Sequence, residues 1–184
     1  AWKDMGITQS LRELPGFLAF TAIFWFMLMR EQTLGYISLL LLGIGIALTG
    51  FFPTLGGVLV TTMIMSVGFH YFETVNQSLQ LQILPKAEAP RLMGRISAAS
   101  AAAQFLAYGG LAIAWWIGFR DYKIIYLAIG LACVGLTIWS MQYFPRFDGP
   151  VPQRKEIVLR KRYWLYYLIT FMSGARRQLF HAFG

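Results

Sequence analysis

Long apolar stretches alternate with short polar gaps along nearly the whole chain. Each of six stretches is long enough to cross a bilayer, because roughly 20 apolar residues span the hydrocarbon as a helix. Helices are expected because every backbone polar group must be paired inside the bilayer, and the alternating pattern of a membrane barrel is not present in the sequence. The pattern therefore predicts an all-α, polytopic membrane bundle of about six helices. In chain order the stretches are Ser10–Met29, Leu34–Phe52, Gly56–Leu84, Leu92–Phe119, Tyr122–Phe144 and Tyr163–Gly184.

One segment between the stretches differs in composition from the rest. Residues 145–162 hold Pro145, Gly149, Pro150 and Pro152, followed by a charged run. We expect a partial N-terminal bundle of five membrane helices over residues 1–144, a linker over 145–162, and the first helix of a second bundle over 163–184. Because the sequence starts at Ala1 and stops inside an apolar stretch, we expect it to be a fragment of a longer protein.

The composition excludes an ordinary soluble domain. Hydrophobic residues make up 57% of the chain and charged residues 13%, with a mean hydropathy of +0.55, whereas soluble domains carry about 25% charged residues. The formal net charge is +8, but the basic residues lie in the gaps between apolar stretches, which argues against nucleic-acid binding. Cys133 is the only cysteine, so an intrachain disulfide is impossible, and we expect neither a metal nor a cofactor.

The basic residues also predict an orientation. Ten of them fall in three gaps that alternate with gaps holding only Lys3, Arg120 and Lys123. Since Lys and Arg accumulate on the cytoplasmic side, we expect the 145–162 linker to face the cytoplasm and the bundle to lie in the lipid of a bacterial inner membrane. The ten residues are Arg30, Lys86, Arg91, Arg95, Arg146, Arg154, Lys155, Arg160, Lys161 and Arg162.

The third apolar stretch carries polar side chains on one face. At 100° per residue they fall within a wedge of roughly 80°, with Asn76 at its edge. We call them the polar stripe: Thr62, Ser66, His70, Glu73, Gln77 and Gln80. The opposite face is expected to contact lipid through Phe72, Val75, Leu79 and Ile83.

Glu73 is the charged member of the polar stripe, and two interpretations of it stay open. A carboxylate inside the bilayer is costly unless it faces protein or water. Glu73 either binds a proton or a cation in a water-filled path, with His70 one turn earlier sharing the proton, or it anchors two helices through a salt bridge to an arginine.

Two further charged pairs lie in the outer stretches. Arg176 and Arg177 sit about halfway along the last one; one of them either binds an anionic substrate group or pairs with Glu73, or it bridges to a neighbouring helix. Arg12 and Glu13 open the first stretch, just before Pro15. We expect them to be an interfacial pair, on the view that the helix begins at Pro15 rather than near Ile7.

Small residues at helical spacing predict the packing surfaces, because membrane helices associate where small side chains let backbones approach. The second, fourth and fifth stretches carry them, and helix contacts are expected there. They include Gly43, Ala47, Gly50, Gly94, Ala98, Ala102, Gly109, Gly110, Gly130 and Gly135.

The chain resembles part of a major facilitator superfamily transporter along its whole length. The 145–162 linker is similar in place and character to the cytoplasmic linker between the family's two six-helix halves. Residues 89–95, followed by a small-residue helix and Gly109-Gly110, resemble the family's fifth helix. The 29–35 segment stands where the family has a Gly/Asp/Arg-rich loop, and it keeps a charge pair and one glycine.

This resemblance implies that the six stretches correspond to helices two to seven of a twelve-helix plan. It implies a gating loop formed by Arg30, Glu31 and Gly35. It also implies that the polar stripe lines the central cavity, with Arg176 or Arg177 opposite Glu73.

Together these features predict part of a secondary active transporter rather than an enzyme. It would move a small, anionic solute by alternating access, with the proton as coupling ion. An integral-membrane enzyme segment and a non-catalytic membrane subunit stay open as alternatives, although the sequence shows neither a phosphate loop nor a Ser/His/Asp set. The residues expected on the substrate and proton path are Glu73, His70, Asn76, Gln77, Gln80, Arg176 and Arg177.

Overall fold

All regular structure in the described part of the chain is helical. The computed structural model describes residues 2–17, 21–146, 160–169 and 172. A 3-10 turn at Lys161–Tyr163 leads into a helical segment over 164–169. The helices are α1 (Trp2–Phe17), α2 (Ala22–Leu28), α3 (Glu31–Thr49), α4 (Leu55–Ile83), α5 (Ala89–Trp116) and α6 (Tyr122–Tyr143).

Four of these helices, α3 to α6, are long and apolar enough to cross a membrane. Their bounds agree with the second to fifth predicted stretches to within three residues. The all-α prediction is therefore confirmed for the described residues, and four of the about six expected spans are present as candidate membrane helices. Most of the last stretch, including Arg176 and Arg177, lies outside the described residues.

The first predicted stretch is different from what we expected. The structure describes it as α1 and α2, on either side of residues 18–20, and neither meets the length for a span. Helix α1 begins at Trp2, well before Pro15, and contains that proline within its length. The expectation that the helix begins at Pro15 is therefore wrong. Proline removes the bond to the carbonyl four positions earlier and crowds that carbonyl, and α1 nevertheless includes Pro15.

Local side chains and one glycine define the helix ends. The Thr54 side chain accepts a bond from Gly57 N at 3.2 Å at the start of α4. Asp121 accepts bonds from Lys123 N and Ile124 N at 3.0 and 3.3 Å at the start of α6, satisfying amides that have no helical partner. Gly118, at φ +86°, makes the left-handed turn between α5 and α6.

Helix α3 is the centre of the bundle, with α4 packed on one side and α6 on the other. Both contacts are antiparallel and pass over glycines. A Cβ built on Gly68 of α4 would lie 2.5 Å from the backbone of Ser38 and Leu42, and one on Gly130 of α6 would lie 2.5 Å from Gly43 O. The packing role predicted for Gly43 and Gly130 is confirmed, because only small residues permit such an approach.

Polar bonds join three helix ends at one end of the bundle. Gln82, near the end of α4, donates to Glu31 Oε2 at 2.7 Å, and Gln32 donates to Pro145 O at 3.1 Å just past α6. The gaps that carry Arg30, Lys86 and Arg146 therefore lie at the same end, as the alternation of basic gaps predicts. Which side of a membrane this end faces stays a prediction.

Helix α5 stands apart from the other helices. It has no buried residue in the described structure. Gly94, Gly109 and Gly110 have nothing within 4 Å of a built Cβ. The contacts predicted for these small residues are thus not found among the described residues.

Candidate functional site

Helix α4 has different neighbours on its different faces, and the polar stripe is not on the face that α3 covers. Helix α3 covers the face that includes Thr61, Gly68 and Val75, all buried. Val75 is fully buried, and a Cβ on Gly35 would lie 3.2 Å from its Cγ1. The prediction that Val75 contacts lipid is wrong. Protein-facing and lipid-facing positions are both apolar in a bilayer, so hydrophobicity could not tell them apart, whereas Gly68 marks the real contact.

Helix α1 covers the first half of the polar stripe and runs parallel to α4. Ser66 is buried and donates to the carbonyl oxygen of Arg12. Pro15 lies in the next turn of α1 and is also buried. Pro15 has no N–H to donate to the carbonyl of Leu11, four residues earlier. Ser66 donates to a different carbonyl, that of Arg12, and so links α4 to α1 beside the proline.

His70 lies against the backbone of α1 at Gly16. A Cβ on Gly16 would lie 2.6 Å from His70 Cε1 and 2.9 Å from Nε2, so a larger residue would displace the imidazole. The ring also meets Phe69 edge-on, with centroids 5.2 Å apart. The imidazole is therefore held at the α1 contact.

Glu13 is the acidic partner at this contact. His70 Nε2 lies 3.9 Å from Glu13 Oε2. Arg12 donates to Glu13 Oε1 from Nη2 at 3.1 Å and from Nε at 3.2 Å, and Gln9 approaches the same oxygen at 3.4 Å. The predicted Arg12–Glu13 pair is present, and Glu13 in addition contacts α4 near its midpoint. Its position at a membrane interface stays a prediction. We call Gln9, Arg12, Glu13, Ser66 and His70 the α1–α4 polar cluster.

The residue spacing in the sequence indicates this cluster, but the expected helix start at Pro15 was wrong and left part of it out. Gln9, Glu13 and Gly16 follow one another at four- and three-residue spacing, which places them on one helix face. The expected start at Pro15 removed the first two from the helix. With α1 beginning at Trp2, polar residues and a glycine share the surface that meets His70.

The second half of the polar stripe is open. Glu73 and Gln77 are exposed, whereas Asn76 and Gln80 are partly buried. No hydrogen bond or ion pair of Glu73 is found within the described part of the chain. The structure thus brings His70 to Glu13 and leaves Glu73 on the surface of the described helices.

The loop predicted to act as a gate connects helix ends. Arg30 precedes α3, and Glu31 in its first turn accepts the bond from Gln82, which also donates to Ser78 at 3.1 Å. Gly35 is buried under Val75. These contacts fix the start of α3 to the end of α4; movement of this loop stays a prediction.

Arg176 and Arg177, predicted to lie opposite Glu73, fall outside the described residues. Among the residues that are described, no group of three or more His, Cys, Asp and Glu side chains could hold a metal ion. The chemistry that the described residues offer is proton binding and polar contact within a helical bundle. Comparisons with family models, with curated proteins and with solved structures find no match for this chain, so its membership of a family stays a prediction from sequence.

Proposed function

We propose that this chain is part of a secondary active transporter of the major facilitator type. It moves a small solute across the cytoplasmic membrane by alternating access, and the proton is its coupling ion. The proposal extends the shown architecture, four candidate membrane helices, to a function.

The open half of the polar stripe carries the proposal. Glu73 lies four residues past Phe69, the midpoint of α4, or about 6 Å along the helix axis. A charged side chain near the bilayer centre costs at least about 2.5–3.5 kcal/mol when it faces lipid. Exposed Glu73 and Gln77 therefore favour a face of α4 that lines water or a further polar surface.

The packing of the other faces supports the same view. Helix α3 occupies the apolar face of α4 through Gly68 and Val75, and α1 covers Ser66 and His70. Helices α3 and α1 leave uncovered apolar residues such as Phe69 and Leu81, which suit lipid, and the polar face that follows His70. In a transporter, such a face borders the central cavity between the two rocking halves.

Thiol labelling of the full-length protein tests this proposal without knowledge of the solute. In a Cys133→Ser background, Glu73→Cys and Gln77→Cys are exposed to a membrane-impermeant thiol reagent in right-side-out and inside-out vesicles. Alternating access predicts that both positions react from both sides of the membrane. Leu131→Cys in α6 is the matched control, because it is 57% exposed and apolar and should stay unlabelled in lipid.

Two results would overturn the proposal. If Glu73→Cys and Gln77→Cys are labelled from neither side of the membrane, this face lies against lipid or protein, as in a non-catalytic subunit. Labelling of Leu131→Cys to the same extent would mean that the described helices do not lie in a bilayer as spans.

A further inference from the structure

The contact between α1 and α4 places a base and an acid side by side inside a candidate span. His70 Nε2 and Glu13 Oε2 are 3.9 Å apart, and the two side chains are only 17% and 21% exposed. His70 lies one residue from the midpoint of α4. Opposite charges attract more strongly in apolar surroundings than in water, so the charge on His70 matters greatly for this contact.

The backbone of α1 is shaped for the imidazole. Gly16 has no side chain, and the ring fills the space that a Cβ would need. One turn earlier, Ser66 donates to the carbonyl of Arg12 and holds the two helices in register. The His70–Glu13 pair is therefore a built contact between two helices rather than a chance approach of surface side chains.

We propose that Glu13 and His70 form a proton-binding site that joins α1 to α4. The proton adds to the imidazole, and the imidazolium pairs with the Glu13 carboxylate across the helix contact. When the proton leaves, this attraction is lost and the population in which α1 is separated from α4 grows, although the Ser66 bond remains. The site would supply the coupling ion of the proposed transporter, but the contact itself does not depend on that function.

Arg12 also contributes to the electrostatics of the site. Its guanidinium also contacts Glu13, at 3.1 Å, but it is 48% exposed. Solvent screens exposed charges, so the Arg12–Glu13 attraction is weak. Both residues belong to α1, and their pairing therefore does not hold α1 to α4 when His70 is neutral. The protonated imidazole adds a cation that belongs to the other helix, and this makes the contact depend on pH.

The other titratable groups on these helices lie elsewhere. Glu73 is exposed one turn after His70, and Tyr71 faces Thr21. On α3, Glu31 contacts Gln82 at the end of α4 and Tyr36 contacts Ser140 O. Lys3 and Asp4 are in the first turn of α1, more than two turns before Glu13. Among the described side chains, Glu13 and Arg12 are thus the charged groups that face His70 from the helices packed on α4.

The test measures the separation of α1 and α4 as pH changes. The full-length protein in lipid nanodiscs carries spin labels at Ile7→Cys and Val60→Cys, both exposed, in a Cys133→Ser background. Electron paramagnetic resonance reports the distance between them from about pH 5 to about pH 8, where histidine ordinarily changes charge. We expect the ratio of short to long distances to fall about tenfold as pH rises, a size typical of coupling between sites.

Variants identify the groups responsible. His70→Gln and Glu13→Gln should abolish the pH response, and His70→Lys, which stays charged, should keep the short distance at both pH values. Glu88→Gln, at an exposed carboxylate before α5, and His181→Gln are the controls and should respond like the parent, since the chain has two histidines.

A parent protein whose distance does not change with pH overturns the proposal, even if the His70 variants fail to fold. A pH response that persists in His70→Gln, or one that Glu88→Gln abolishes, overturns it too. The transporter proposal can fail independently of this one, because it is tested by thiol labelling at positions 73 and 77 and not by the distance between α1 and α4.

Discussion

Gly16 is the residue on which the His70 contact depends most directly. We expect Gly16→Ala to push the imidazole from its place, because a Cβ would lie 2.6 Å from His70 Cε1. Crowding of a packed contact costs about 1–3 kcal/mol, which should exceed the gain of up to ~1 kcal/mol from higher helix propensity. The free energy of unfolding in bicelles, measured for the full-length protein, should therefore fall.

Gly6→Ala is the matched control on the same helix. Gly6 is exposed and has nothing within 4 Å of a built Cβ. Its substitution should leave the free energy of unfolding unchanged or raise it slightly. Equal losses for Gly16→Ala and Gly6→Ala would show that backbone flexibility, not the imidazole contact, explains the effect.

For single residues, the sequence indicated which side chains of α4 share a face but not which residues of other helices they contact. The spacing of His70 and Glu73 is compatible with a shared proton, and the structure instead places His70 beside Glu13. The partner is 57 positions earlier in the chain and comes from another helix. Periodicity describes one helix at a time, so it cannot choose between partners supplied by tertiary packing.

At the scale of elements, the contact between α3 and α4 depends on one glycine. A Cβ on Gly68 would lie 2.5 Å from Leu42 N and Ser38 O, and these backbone atoms cannot move without separating the helices. We expect Gly68→Ala to lower the free energy of unfolding by about 1–3 kcal/mol. Gly135→Ala, in open space on α6, is the control and should be neutral or slightly stabilising. If both variants unfold alike, the close approach of α3 and α4 does not stabilise the fold.

The elements that could be predicted are those whose bounds depend on the bilayer. Helices α3 to α6 match their predicted stretches because each needs enough apolar residues to span, and Thr54 and Asp121 give two of them a capping side chain. Helix α1 could not be predicted in this way, since it starts in a polar segment and runs through Pro15. Its position depends on the α4 surface at Ser66 and His70, which the hydrophobic pattern does not encode.

For the molecule as a whole, α5 decides the topology. It connects the end of the bundle that carries Lys86 to the turn at Arg120, yet it has no buried residue in the described structure. Only its length and composition indicate that it crosses a membrane. If it does, Lys86 and Arg120 lie on opposite faces of the membrane, whereas Lys86 and Arg146 lie on the same face.

Single cysteines introduced at these three exposed positions in a Cys133→Ser background test this arrangement. In inside-out vesicles, where the cytoplasmic face is outermost, an impermeant thiol reagent should label Lys86→Cys and Arg146→Cys and leave Arg120→Cys unlabelled. Right-side-out vesicles should give the reverse, because basic gaps face the cytoplasm. Labelling of Lys86→Cys and Arg120→Cys from one face would show that α5 lies on the membrane or outside it. If instead Arg120→Cys is labelled in inside-out vesicles, and Lys86→Cys and Arg146→Cys in right-side-out vesicles, α5 still spans the membrane and only the predicted orientation is wrong.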